Sequence, residues 1–165
     1  MKKYSLLVIA IAAVASIVIA ADEKEKPAAS AAMEHKIFDS ATIEWGGPPP
    51  GFPTGGKFAV LEGNPGEKGI YTVRLKAPAG YKIQAHTHPT AELITVISGN
   101  LHLGTGVKFD ESKGDTMEPG SFTAMPAGMQ HYAWFTEETE IQVHGEGPFE
   151  INYVNPADDP RNAKK

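Results

Sequence analysis

The chain has 165 residues, 41% of them hydrophobic, with 15 basic and 20 acidic side chains, a formal charge of −5 and no cysteine. That length suits one domain with a substantial core, and the composition excludes a disulfide scaffold, a thiolate zinc site and a cysteine nucleophile. No Lys/Arg-rich run is present, so nucleic acid is not an expected partner. The 17 glycines and 13 prolines point to short elements and many turns rather than a helical bundle.

Lys2 and Lys3 form a positive head, Leu6 to Ala21 carries no charge, and Asp22, Glu23, Lys24 and Glu25 follow at once. That order describes a secretory signal peptide over residues 1–20. Cleavage after Ala20, with Val18 and Ala20 as the small residues, fits best; the Ala13-Val14-Ala15 match would leave Ile17 to Ala20 on the mature chain. The stretch is short for a spanning helix, which needs about 20 apolar residues. An uncleaved anchor is the alternative, and the only expected route to a membrane. Without a cysteine after the stretch, a lipoprotein is excluded. Loss of Lys2 and Lys3 leaves a periplasmic or secreted chain of about 145 residues and charge −7. Residues 21–36 mix Ala, Glu, Lys, Pro and Ser without period and read as a disordered linker ending near a surface His35.

A single domain is expected over residues 37–160, with 161–165 as a tail. It begins with the turn-rich run Gly46 to Pro53, whose three consecutive prolines cannot join a central ladder. Trp45 just before it is expected to pack as an apolar lid. Strands follow. Phe58 to Leu61 is a short apolar run, and Ile70 to Lys76 alternates Tyr71, Val73 and Leu75 with Thr72, Arg74 and Lys76. Leu93 to Ile97 is rich in β-branched residues, and Leu101 and Leu103 come after Ser98-Gly99-Asn100. Further strands are expected at Ser121 to Met125, Gln130 to Phe135, Glu140 to His144 and Phe149 to Val154. Many short strands at regular turn spacing predict an all-β antiparallel sandwich or barrel.

The chemistry lies in two stretches. In Gly80 to Gly99, His86 and His88 sit two apart, so on a strand their imidazoles point the same way about 6–7 Å apart and can converge on one ion. Glu92 stands at an even offset from both, with Pro89 bending the chain between them. Its carboxylate suits Mn, Fe, Ni or Zn better than copper. In Gly120 to His131, the turn Pro126-Ala127-Gly128 aims the following strand inward, three residues before His131. Gly80, His86, His88, Glu92 and Gly99 fill every fixed place of the first cupin motif, and Gly120, Pro126, Gly128 and His131 fill the second except its last, where Phe135 replaces asparagine. The chain therefore resembles the cupins over about residues 56–155. The resemblance implies a double-stranded β-helix, or jelly-roll, barrel with one divalent transition metal on His86, His88, Glu92 and His131. Four ligands leave two positions of a six-coordinate ion open, whereas a structural site is normally closed.

Other residues carry weaker expectations. Gln142 and His144 share a strand face; turned inward they would contact substrate or support the ligands, and turned outward they are surface residues. Phe135 and Ala133, on the side of His131, form an apolar wall. Tyr132 and Trp134 fall on the opposite face, packed between sheets or in a dimer contact; His102 carries no expected role. Met117, Met125 and Met129 are core or rim packing. The leading functional expectation is an exported, metal-dependent oxidoreductase, dioxygenase-like, acting on a small organic molecule. The alternative is a non-catalytic metal or small-ligand binding or sensor cupin. Isomerase or decarboxylase chemistry would need a general base, for which Glu146 and Tyr153 are the nearest candidates. No catalytic residue beyond the metal ligands is assigned, and a homodimer is expected from the resemblance. The lack of cysteine suits an exported barrel that supplies its own core.

Overall fold

Alternation along the chain becomes two five-stranded antiparallel sheets in the computed structural model, which describes residues 35–163. The expected signal peptide and nearly all of the expected linker lie outside those residues. The strands are β1 (Lys57–Glu62), β2 (Gly69–Ala77), β3 (Lys82–Thr87), β4 (Glu92–Ser98), β5 (Leu101–Thr105), β6 (Asp115–Met117), β7 (Phe122–Met125), β8 (His131–Trp134), β9 (Thr139–Gly147) and β10 (Asn152–Tyr153). One sheet runs β1-β2-β9-β4-β7 and the other β10-β3-β8-β5-β6. Apart from β1-β2 and β5-β6, neighbours in the sheets are not neighbours in sequence, as in a jelly roll. The fold is all-β and antiparallel, as the resemblance implies.

Period two decides what faces inward. Tyr71, Val73 and Leu75 of β2, Ile94 and Val96 of β4, and Ile141 and Val143 of β9 are buried and meet Ile83, Leu101, Ala133 and Phe135 of the second sheet in one core. Burying each such side chain contributes roughly 1.5–3 kcal/mol. Met125 belongs to this core, with Met117 and Met129 packed against it.

Two local expectations change. Trp45 is no lid: it lies half-buried with Lys76 Nζ 4.5 Å over its ring, on the outer side of β2. The covering residue is Phe52, whose ring meets those of Phe58 and Phe149 at 4.7 and 6.1 Å. Its proline-rich strap is tied down by the Tyr81 hydroxyl on the Pro53 carbonyl and the Tyr153 hydroxyl on the Gly51 carbonyl, both 2.8 Å. Tyr132 and Trp134 face away from the main core, as expected, but with Ala85 they form a second cluster capped by Phe109 and Val154 of this same chain. The expected tail remains structured through residue 163: Arg161 lies in a 3₁₀ turn, Pro160–Asn162, and donates to the Ile151 carbonyl at 2.9 Å.

Candidate metal centre

His86 reaches the interior only because β3 carries a bulge. Ile83 pairs with Ala133 and His86 with His131, so three steps on β3 match two on β8. Unbroken alternation would set His86 on the face opposite Ile83; the extra residue at Gln84–Ala85 returns it to the inner side. His88 follows just past the strand. Gly128, at φ +75°, closes the Pro126-Ala127-Gly128 turn and donates its N–H to the His88 carbonyl at 2.8 Å, joining the two motif stretches. His131 then opens β8 beside His86. Glu92 arrives differently. The chain turns a corner at Pro89–Ala91 and enters the other sheet, so the carboxylate crosses the sandwich toward the histidines instead of sharing their strand.

The four side chains are 2–7% exposed. Ring centroids of His86 and His131 are 4.2 Å apart, His86 and His88 4.9 Å, His88 and His131 5.2 Å. The three histidines each offer a nitrogen within 4.8 Å of the others and could hold a metal ion. Glu92 Oε2 lies 3.4 Å from His88 Nε2 and 3.3 Å from His131 Nε2.

Whether these groups suit an ion follows from their hydrogen bonds. Nδ1 of His86, His88 and His131 lies 2.6, 2.6 and 3.0 Å from the carbonyls of Gln84, Glu150 and Met129. A carbonyl brings no proton, so each Nδ1 carries the hydrogen and, in the neutral ring, each Nε2 is left with its lone pair. That is the tautomer a metal requires, with the outer bond fixing the ring plane. His88 Nε2 and Glu92 Oε2 are meanwhile buried without a hydrogen-bond partner. Buried orphan acceptors converging on one point are chemically matched to a cation, and the donor set fits.

The charges follow the same geometry. Burial, reinforced by the imidazoles of His131 and His88, pulls His86 down to about 3. Burial opposes protonation of His88 too, but Glu92 and the Glu150 carbonyl outweigh it and hold His88 above the ordinary value. For Glu92, burial pushes upward and is outweighed by His131 and His88, leaving the carboxyl well below its usual range. The metal-free protein should therefore lose stability in acid. Between pH 6.5 and about 3 the unfolded chain protonates His86 and the folded one does not, so stability falls with falling pH, by at most ~1.4 kcal/mol per unit. Below the usual carboxylate range Glu92 adds to the loss; His88, whose contribution disappears as pH rises, works in the opposite direction. Urea unfolding of chelator-treated protein from pH 7 to 4 checks this, and His86→Gln should flatten the slope above pH 4.5.

A cavity of about 40 Å³ adjoins the four residues, room for two or three waters at about 10–15 Å³ each. Its remaining wall is entirely apolar, among it Phe52, Phe58, Leu101, Leu103, Phe135 and Phe149. Phe149 also stacks on His88 at 4.7 Å. Phe135 lines the same cavity as the three histidines and Glu92. Tyr153 stands 6.0 Å from His86 ring to ring, but its hydroxyl is committed to the Gly51 carbonyl. Gln142 and His144 turn outward, because Ile141 and Val143 take the inner face: Gln142 accepts from Arg74 Nε at 3.2 Å, and His144 stacks on exposed Phe122 at 6.5 Å. Neither touches the cavity. Glu146 lies on the same outer face and is exposed, so neither Glu146 nor Tyr153 offers the interior a free group. His102 is also outside, against Trp134 at 5.1 Å. Phe52, Phe58 and Phe149 are residues that motif spacing misses, since aromatic side chains in a turn or strand carry no mark of lining a cavity.

Residues 13–152 match a family model described as Domain of unknown function (DUF4437). The chain belongs to this family. No curated protein matches the DUF4437 chain. Among solved structures, it superposes on the polyketide cyclase RemF from Streptomyces resistomycificus with a TM-score of 0.63 at 16% identity, over 78% of this chain and 91% of that one. A putative acetylacetone dioxygenase from Methylibium petroleiphilum gives 0.60 at 21% identity, over 79% and 88%. An RmlC-like cupin from Shewanella frigidimarina gives 0.54 at 17% identity, over 69% and 91%. At these identities the likeness establishes the cupin fold of the DUF4437 chain.

Proposed function

We propose that this protein is an exported, metal-dependent cupin oxidoreductase of the dioxygenase kind, acting on a small, mainly apolar organic molecule. The observation that carries the proposal is the convergence of three Nδ1-anchored imidazoles and one carboxylate on an apolar cavity. His86, His88, His131 and Glu92 would hold one divalent Fe, Mn, Ni or Zn. Such an ion supplies Lewis acidity toward a substrate oxygen and, as iron or manganese, reactivity toward dioxygen.

The chain's own contribution is exclusion and orientation. Phe52, Phe58 and Phe149 keep bulk water from the ligands, and the apolar wall offers a second polar group on the substrate no partner. Likeness to chains described as an acetylacetone dioxygenase, from Acinetobacter johnsonii with a TM-score of 0.58 at 19% identity, and as a polyketide cyclase supports this reading. Export rests on the basic head and apolar stretch of residues 1–20, and a homodimer on the resemblance. One observation favours the non-catalytic alternative: the cavity's 40 Å³ falls far below the ~300–1,000 Å³ of most ligand pockets, so a substrate must displace the aromatic rings.

Oxygen consumption separates the two. Protein loaded with iron or manganese is expected to take up oxygen with at least one member of a panel of enolic and phenolic compounds, and zinc-loaded protein is not. Stoichiometric metal with no turnover across the panel would establish the binding reading instead.

A further inference from the structure

Three of the four side chains at the centre are held from behind by a backbone carbonyl; Glu92 Oε2 has no hydrogen-bond partner. The sheet places one donor where it could act. Glu92 pairs across β4 and β9 with Gly145, and Gly145 pairs across β9 and β2 with Tyr71, so the three form one row on the inner face. Gly145 has no side chain, and a Cβ built there would meet the Ala91 carbonyl at 2.8 Å, the Tyr71 hydroxyl at 3.0 Å and its Cζ at 3.3 Å. Tyr71 is fully buried, edge-on to Phe149 at 5.6 Å, and its hydroxyl also lacks a hydrogen-bond partner. A buried donor and a buried acceptor, both unpaired and both on one bare row, are a costly arrangement unless they serve each other.

We propose that Tyr71 is a positioning residue for Glu92, its hydroxyl donating to the carboxylate across Gly145 when the carboxylate is drawn onto a metal ion. The inference rests on the metal-centre reading. A phenol is protonated at neutral pH and comes as a donor, while an ionised carboxylate only accepts. The bond would do for Glu92 what the carbonyls do for the imidazoles: select one orientation of the ligand and raise its hold on the ion. Gly145 is the condition for it, since a side chain there would displace the ring.

The test is Tyr71→Phe, read by Mn²⁺ titration followed by electron paramagnetic resonance. Affinity is expected to fall about tenfold, in the range that loss of an outer partner produces. The unfolding temperature of the metal-free variant should hold or rise, because an unpaired buried hydroxyl has been removed. In a Glu92→Ala background, which leaves no acceptor there, Tyr71→Phe should add nothing further. Wild-type affinity in the single variant, with or without lost stability, would overturn the proposal, as would an equal loss in both backgrounds. If the wild type itself binds no Mn²⁺, the metal-centre reading fails and takes this inference with it; Mn²⁺ binding indifferent to Tyr71 overturns the inference alone.

Discussion

His131→Ala is expected to remove stoichiometric metal binding and leave a folded barrel. His131 is the central member of the group, 4.2 Å from the His86 ring and 5.2 Å from His88, with Nε2 3.3 Å from Glu92 Oε2. Its loss takes a ligand from the second sheet that no neighbour can replace, since Tyr132 points to the opposite face and Ala133 is apolar. Removing an outer partner of a ligand ordinarily costs about 10–100-fold in affinity, and removal of the ligand itself should exceed that. The fold survives because the main core is built from apolar residues of both sheets, without His131. Gln142→Ala and His144→Ala serve as controls. Both face outward and should bind metal like the wild type, in calorimetric titration with circular dichroism confirming the fold. A His131→Ala protein that keeps full affinity contradicts the assignment.

The second large effect is on stability. Gly104→Ala is expected to destabilise the protein by about 3 kcal/mol, because the Tyr132 ring lies where a Cβ at 104 would stand. The two residues pair across β5 and β8. Tyr132 is 1% exposed, and its hydroxyl lies 3.0 and 2.8 Å from the carbonyls of Asp110 and Lys113. It thereby pins the loop that brings Phe109 over Tyr132 and Trp134. Moving the ring disturbs that cluster and leaves buried groups short of partners. A domain of this size should lose roughly 6–12 °C in its unfolding temperature, readable by calorimetry; a loss under 2 °C would show that the ring gives way without consequence.

Spacing along the sequence marks the four residues at the centre, and alternation marks most strands and the inner face of β2. Less legible is how the parts are aimed. Counting by twos from Ile83 sets His86 on the wrong side, and only pairing with β8 reveals the bulge that corrects it. Pro89 marks a bend between the histidines and Glu92, but not that the bend is a full corner that delivers the carboxylate from the other sheet. For Gln142 and His144 alternation leaves both faces open; the core decides, because Ile141 and Val143 are buried. Phe149 to Val154 reads as a strand, yet only Asn152 and Tyr153 pair in β10. The Phe149 N–H goes to the Pro65 carbonyl and the Glu150 carbonyl accepts from the His88 ring, so the start of the segment is spent outside the ladder. Tyr71 reads as one more apolar residue of its face, and its unpaired hydroxyl appears only when the row across Gly145 is assembled.

The central claim is that this barrel holds one metal ion on imidazole and carboxylate, and metal content tests it most directly. The purified protein, equilibrated in turn with iron, manganese, nickel and zinc and then desalted, is expected to retain one ion per chain of at least one of them by elemental analysis. Retention of no metal at stoichiometric level, from a protein shown to be folded, would contradict the account.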